Sequence, residues 1–527
     1  MPQPLGYAIG QQDFKMLREG TAVYVDKTRY IRMLVDSDSK FYFLARPRRF
    51  GKSLFLSALR YFFEGRRELF KGLYVDTVDW GWQWEKYPVL RLDLNTDRYA
   101  DTGQMEGVLD RLLRDWEEEY GVNVKDTDHA QRFASVIAAA HERTGLPVII
   151  LVDEYDKPLV GNLNDPEKFE HYRSRLASLY SNFKSGAEHI RMVFLTGVSR
   201  FSKLSVFSDL NNIRDLTLDN AYADICGITE KELEQDLGPG IADLAEELGV
   251  SYEEARRELK KSYDGYRFAE NGSDIYNPWS VLNALASLKI DTYWADTGMP
   301  TIIAEALKRI NANLEEYFDI YCSPKDLKGL DLLNPDPVAL MYQTGYLTIK
   351  DYDPYGPEYH LGIPNREVRE ALLSFLVPYY VTAREVPSNR VLTTINRSLR
   401  LGDPQKAMEA IRRYFAGVDY SLRMENENNF HNAFFLLMDL IGLKTEAESH
   451  TSDGRIDILI QTARYVYVIE LKYDGTAEEA LRQTEEKEYS LRFQAEGRKV
   501  FRIGASFSSK TRRIDDWLIA EDETAGS

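Results

Sequence analysis

Phe41-Tyr42-Phe43-Leu44-Ala45-Arg46-Pro47-Arg48-Arg49-Phe50-Gly51-Lys52-Ser53 is the stretch on which the reading of the fold turns. Phe41 to Leu44 is a short apolar run of the kind that forms a buried strand. Leu54 to Phe63 carries apolar residues at helical spacing. A Gly-Lys-Ser turn between a strand and a helix is the setting of a phosphate-binding loop (a Walker A element), because the N–H groups at the helix start and the positive end of its dipole face an anion. Lys52 would reach the β and γ phosphates of ATP, and the Ser53 hydroxyl would ligate Mg²⁺. The candidate nucleotide-binding residues are therefore Arg48, Arg49, Phe50, Gly51, Lys52, Ser53 and Leu54. The general pattern has a glycine where this chain has Arg46. The loop must turn without it there, and Arg46, Arg48 and Arg49 are candidates for added charge near the nucleotide.

Outward from the loop, Val89 to Leu94 alternates like a strand, and Val148 to Val152 and Met192 to Leu195 are continuous branched runs suited to strands buried on both faces. Strands separated by helical segments predict an α/β layer structure with a largely parallel sheet. Asp153 ends one of these strands, where a carboxylate holds Mg²⁺, and Glu154 follows it, placed to orient or deprotonate the attacking water. The bland alternative for Glu154 is a helix cap or an ion pair. Asp156 is close enough in sequence to assist. Thr196 ends the next strand and is the candidate sensor of the γ-phosphate. Arg200 is either an arginine finger or half of a structural ion pair. A finger supplied in trans would make the protein a homo-oligomer.

The length of 527 residues calls for about three domains. We read an α/β nucleotide-binding domain over 1–218, a mostly helical middle domain over 219–395 with a winged-helix-like piece around Leu340 to Lys350, and a second α/β domain with a helical connector over 396–527. The net charge of −18 excludes bulk attraction to nucleic acid, so any polyanion must meet a local basic surface. Two cysteines cannot form a disulfide framework. No secretory leader is visible, and no apolar run approaches the roughly 20 residues of a membrane helix. The expectation is a cytoplasmic protein without a membrane partner.

In the last part Phe430 to Ile441 reads as a helix, Ile456 to Ile460 and Tyr465 to Leu471 as strands, Ala477 to Tyr489 as a helix and Lys499 to Ile503 as the final strand, with a frayed tail from Glu521. Glu470 and Lys472 are two apart and share a strand face. If the two strands pair as a hairpin, Asp457 approaches Glu470. Two carboxylates there suit Mg²⁺ or Mn²⁺, with the Leu471 carbonyl and Glu427 as further candidate ligands. Lys472 would position water or neutralise developing charge, and Gln483 and Lys487, one helical turn apart, would face the site. Glu446 and Glu448 read as solvent-facing. Between Arg498 and Arg513 lie six Lys or Arg and no acid, which suits either a phosphate backbone or a solvated face. The histidines and cysteines offer no zinc-like spacing.

Tyr24-Val25-Asp26-Lys27-Thr28, Arg46 to Ser53, Asp153-Glu154-Tyr155-Asp156-Lys157-Pro158 and Thr196 to Phe201 resemble the bacterial AAA-ATPase-like proteins. Their loop commonly reads Arg-Pro-Arg-Arg-Phe-Gly-Lys-Ser, which makes Arg46 a family trait. Tyr276-Asn277-Pro278-Trp279 is similar to the same group. Asp457, Glu470 and Lys472 resemble the signature of the PD-(D/E)XK nuclease superfamily. Tyr24 to Thr28 either lie near the adenine or cap a helix through Asp26 or Thr28. The resemblance implies an ATPase joined to a metal-dependent nuclease: a protein whose nucleotide state controls a Mg²⁺-dependent phosphodiesterase acting on DNA or RNA. The alternative is a nucleotide-switched module that binds nucleic acid or protein through an inactive nuclease fold.

Overall fold

The structure is a computed structural model that describes residues 6–96, 99–123, 128–163, 165–200, 212–294, 300–310, 312–327, 336–380, 389–416, 427–441, 444–451, 454–486, 498–511 and 513–522. The chain divides into two compact units, one of residues 1–299 with 320–369 and one of 300–319 with 370–527.

In the first unit, β1 (Phe41–Ala45), β2 (Val89–Asp93), β3 (Val148–Asp153), β4 (Ile190–Gly197) and β5 (Arg214–Asp215) form one sheet in the order β2-β3-β4-β1-β5. Every pairing in it is parallel. All residues of β1 and β3 are buried, whereas β2 alternates between buried and half-buried positions, so the continuous apolar runs and the alternating run find the environments their patterns require. The order matters for chemistry. Because β4 lies between β1 and β3, the residue ending β4 stands between the loop after β1 and the acids after β3. Ligand sites in open α/β sheets gather at these carboxyl ends.

The same unit continues past the sheet. A short antiparallel pair, β6 (Ile228–Thr229) with β7 (Ile275–Tyr276), brackets two helices, Glu230–Leu248 and Tyr252–Tyr263. Both helices start with a full capping box, Thr229 with Glu232 and Ser251 with Glu254. Gly249, at φ +66°, ends the first one in the left-handed region. The helix Pro337–Thr344 leads into a hairpin of β9 (Thr348–Asp353) and β10 (Glu358–Gly362), with β8 (Asp319–Cys322) beside β10. The region read from sequence as helical thus also carries short strands.

In the second unit, β11 (Lys444–Thr451), β12 (Gly454–Gln461), β13 (Tyr465–Tyr473), β14 (Lys499–Ser508) and β15 (Arg513–Asp522) form a mixed sheet in sequence order. Among its described pairings only β13 and β14 run parallel, and the connection between them carries the helix Ala477–Glu486. Lys499 to Ile503 is not the final strand. It runs on to Ser508, and β15 follows, taking in Glu521. β15 is an edge strand whose residues are mostly half-buried or exposed, so its acid-rich sequence lacks the apolar alternation that announces a strand. The helix before β11 begins at Glu427, three residues earlier than the apolar pattern indicated.

The helix Ala477–Glu486 lies so close to the sheet that a methyl group on Gly504 would run into the backbone at Leu481 N and Ala477 O. Those are main-chain atoms that cannot rotate away. Gly504→Ala is therefore expected to destabilise the second unit by about 1–3 kcal/mol, the cost of overpacking a dense interior. Urea unfolding of the full chain measures this, and an unchanged midpoint would show that the helix shifts freely.

Candidate functional site

Arg46 leaves the end of β1 and turns inward. It is 1% exposed, and its guanidinium donates to the carbonyls of Ala45 (2.9 Å), Thr217 (2.8 Å), Tyr222 (3.1 Å) and Ala223 (3.3 Å) while lying 4.3 Å from the Phe268 ring centre. A buried charge is tolerated only when hydrogen-bonded. Arg46 thus anchors the loop to later chain and is not directed at a ligand. Phe50 is likewise buried, edge-on to Tyr266 and Phe268, and its carbonyl accepts from Gly227 N at 3.1 Å. Gly345 meets Pro47 so closely that a Cβ would lie 2.7 Å from the proline ring. Gly51, at φ +95°, starts the helix Lys52–Phe63 in a conformation that glycine adopts without strain.

The Lys52 ammonium is folded onto its own loop, donating to the carbonyls of Arg46 (2.9 Å) and Pro47 (3.1 Å). A cavity of about 670 Å³ opens in front of it. Arg48, Arg49, Phe50, Gly51, Lys52, Ser53 and Leu54 all line this cavity, and so does Glu154. Gln11, Tyr24, Val25, Cys226, Ile228 and Trp279 also line it. A concave space lined by a lysine and a helix N-terminus together with apolar and aromatic side chains fits a nucleoside phosphate.

Asp153 is 2% exposed, and its carboxylate accepts from the Thr196 hydroxyl at 2.8 Å, with an Arg91 nitrogen 3.7 Å away. Thr196 also sits within reach of the Val152 carbonyl and the Glu154 N–H. Its hydroxyl is therefore engaged at the end of β3, with one carboxylate and two main-chain groups. Arg91 was not singled out from the sequence. Its position two residues before the end of β2 is the only local hint, since the pairing of Asp93 with Asp153 that brings it there is a property of the sheet.

Glu154 has φ +49°, a left-handed conformation uncommon for a side chain of this size. Burial pushes its carboxyl above the usual range, and the nearby Asp156 and Asp153 charges add to the rise, while Lys52 and Lys157 oppose it. Asp156 is committed elsewhere: one of its oxygens accepts from Val198 N (3.0 Å), Ser199 N (2.7 Å) and the Ser199 hydroxyl (2.6 Å). Arg200 pairs with Asp215 at 2.8 Å, and its N–H donates to Gln343 at 2.9 Å, which is the structural ion pair weighed above. Asp26 accepts from Thr28 and from Tyr74 N at 2.6 Å, so it holds the start of a short helix while Tyr24 and Val25 face the cavity. Lys27 is held by Glu232 at 2.7 Å.

In the second unit β12 and β13 form the antiparallel hairpin that the carboxylate argument needs. Their ladder pairs Ile458 with Ile469, and Asp457 and Glu470 are the next residues outward on each strand. Glu470 is 1% exposed and is paired with Gly504 across β13 and β14. Pair partners in a parallel ladder share a face, so Glu470 and, two residues on, Lys472 stand on the side covered by the helix Ala477–Glu486. Gln483 is half-buried on that helix. Leu471 is buried in β13 between the two polar residues. The side chains of Asp457, Glu427, Glu446 and Glu448 lie outside the described residues, as does Lys487. Four residues of the basic strip are engaged: Arg502 meets Asp522 (2.7 Å) and Glu485 (3.0 Å), Lys499 meets Glu521 (2.5 Å), Arg513 meets Asp515 (3.4 Å), and Arg498 donates to Gln461 (3.0 Å). No helix among the described residues is long and apolar enough to cross a membrane.

The raised carboxyl of Glu154 carries a pH signature. Below the ordinary carboxylate range, about 4.3 for Glu, it is protonated in both folded and unfolded chains. As pH rises from there to its elevated folded value, the unfolded chain ionises first, and stability falls. Glu154→Gln keeps the shape and the left-handed backbone but removes the charge. Its Tm, measured without nucleotide, should match that of the parent in acid and exceed it once the pH has risen through the ordinary carboxylate range. Parallel curves would show that the site accommodates the charge without penalty.

Comparison with known proteins agrees with this architecture. Residues 8–207 match the family model described as Predicted AAA-ATPase, and residues 425–517 match that of the PD-(D/E)XK nuclease superfamily. The chain is 33% identical over 523 residues to the protein named "Uncharacterized protein in vnfD 5'region" from Azotobacter chroococcum mcd 1, an alignment that covers 97% of this chain and 98% of that protein. The relationship runs through both units, and the chain belongs to the Predicted AAA-ATPase family, with a PD-(D/E)XK nuclease superfamily domain in its C-terminal part.

Proposed function

We propose that the protein binds and hydrolyses ATP with Mg²⁺ in the first unit, and that its nucleotide state controls a metal-dependent phosphodiesterase in the second that acts on DNA or RNA. The observation that carries the first half is the cavity lined by Lys52, Ser53 and Glu154, with Asp153 held beside Glu154 by Thr196. Lys52 would leave its two loop carbonyls for the β and γ phosphates, carbonyls being weaker partners for an ammonium than phosphate oxygens. Ser53 and Asp153 would hold Mg²⁺, which supplies charge neutralisation at the phosphates. A glutamate made more basic by burial is suited to taking a proton from water, and this favours Glu154 as the base. Thr196 acts through Asp153 in this reading. Arg48, Arg49 and the N–H groups of Phe50 to Leu54 cradle the phosphates.

For the second half, Glu470 and Lys472 share the face beneath the helix that carries Gln483. Asp457, Glu470, the Leu471 carbonyl and Glu427 would hold Mg²⁺ or Mn²⁺, whose chemistry is to activate water and stabilise charge at phosphorus. Lys472 and Gln483 would orient that water. The functional parts follow residues 1–218, 219–395 and 396–527. A second reading, a nucleotide-switched binding module, draws its support from the basic strip: cations paired to Asp522, Glu485 and Glu521 leave less charge for a phosphate backbone.

The test incubates the purified protein with single- and double-stranded DNA and RNA and Mg²⁺ or Mn²⁺, with and without ATP. Lys52→Ala should weaken ATP binding by about tenfold or more, at least ~1.4 kcal/mol. Glu470→Ala combined with Lys472→Ala should cut cleavage on the order of a hundredfold or more while leaving ATP binding intact. An ATP effect on cleavage that vanishes in Lys52→Ala would establish the coupling. ATP binding without cleavage under any condition would favour the binding module.

A further inference from the structure

Trp279, in the Tyr276-Asn277-Pro278-Trp279 motif, is more than a wall of the cavity, because three separate pieces of chain converge on it. The Arg49 guanidinium lies 3.8 Å from the centre of its ring. The carbonyl of Tyr293 accepts from both Arg49 (3.2 Å) and the Trp279 indole N–H (3.1 Å), so cation and ring are tied to one atom. On the N-terminal side, Gly10 at φ +75° approaches the ring so closely that a Cβ would lie 3.2 Å from it. The platform beneath is rigid. Asn277 caps the helix Pro278–Ser287 through the Trp279 and Ser280 N–H groups, and the buried Glu367 accepts from Ser280 (2.7 Å), Tyr293 N (2.5 Å) and Trp294 N (2.9 Å).

The two loop arginines with assigned contacts differ in kind. Arg46 is fully buried among four carbonyls, whereas Arg49 is half-buried and lines the nucleotide cavity together with Lys52 and Trp279. Arg49 also holds a left-handed backbone, φ +66°, which a non-glycine residue adopts only when its surroundings impose it. An aromatic face attracts a guanidinium through its quadrupole and leaves the formal charge in place. The ring and the carbonyl therefore hold Arg49 at the wall of the cavity through contacts that are themselves uncharged.

We infer that Arg49 is a phosphate-directed cation of the nucleotide site and that Trp279 is its positioning residue. This rests on the ATP-binding reading proposed above. The motif then has a physical role. Asn277 and Pro278 start a helix at a fixed place, and Trp279 presents from it the surface that sets the arginine.

The experiment is calorimetric titration of the full-length protein with Mg²⁺-ATP, for the parent, Trp279→Leu, Trp279→Phe, Arg49→Met, the Trp279→Leu/Arg49→Met pair and Lys52→Ala. Trp279→Leu and Arg49→Met should each weaken ATP about tenfold, and the pair no more than Arg49→Met alone, because both remove one interaction. Trp279→Phe should retain affinity within about threefold, since a smaller aromatic face still holds a guanidinium. Additive losses in the pair, near a hundredfold, would overturn the inference, as would an unchanged affinity in Trp279→Leu. Should Trp279→Leu fail to fold, tryptophan emission decides: ATP should change it in the parent, and the change should be absent from Trp279→Phe and Arg49→Met. The same emission change in Trp279→Phe as in the parent would refute the role of the ring. A parent protein that binds ATP no better than Lys52→Ala would overturn the nucleotide reading itself, an outcome distinct from every result in which the parent binds.

Discussion

A guanidinium removed from water must replace its hydration with acceptors, and this requirement, met at both terminal nitrogens of Arg46, organises the first unit. The acceptors it finds are main-chain carbonyls at the end of β1 and at Thr217, Tyr222 and Ala223, with the Phe268 ring against its face. The residue that replaces a glycine of the general loop pattern thus ties the loop to chain far beyond it in sequence. Phe50 against Tyr266 and Phe268, and Gly345 against Pro47, extend the same dependence. The phosphate loop here is not a free-standing turn. Its shape is completed by the segment that follows the sheet.

The carboxyl end of the sheet separates three neighbouring acids by environment. Asp153 takes a hydroxyl from Thr196 because the sheet order inserts β4 beside β3. Asp156 accepts through one oxygen from the backbone and hydroxyl at Val198 and Ser199, which fixes the turn after β4. Glu154, between them, faces the cavity from a left-handed backbone and is raised by burial. Neighbours in sequence therefore differ in chemistry because each meets a different partner.

In the second unit a glycine has the corresponding organising role. Gly504 lets the helix Ala477–Glu486 settle against β14, on the side of the sheet where Glu470 and Lys472 stand. Of the cations that follow, Lys499 and Arg502 are paired with acids of the edge strand and the helix, so their charge is balanced locally.

Most strands of the two large sheets, and the polar residues at their ends, can be read from the amino-acid pattern alone. β1, β3 and β4 were legible as apolar runs, the helix after Gly51 as a periodic one, and the hairpin of β12 and β13 as two runs with a short turn. Lys52, Ser53, Asp153 and Glu154 were legible as candidates because their geometry is local, set within a few residues of a strand end. Only the tertiary structure decided the roles that depend on distant partners. Arg46 became an anchor, Arg200 an ion-pair partner of Asp215, Asp156 a turn clamp and Trp279 a wall of the cavity, because carbonyls, carboxylates and rings from elsewhere in the chain arrive there. β15 was illegible for the related reason that an edge strand is stabilised by backbone pairing on one side and needs no apolar alternation. Local propensity and patterning are written residue by residue, whereas the state of a buried charge is set by whatever folding brings against it.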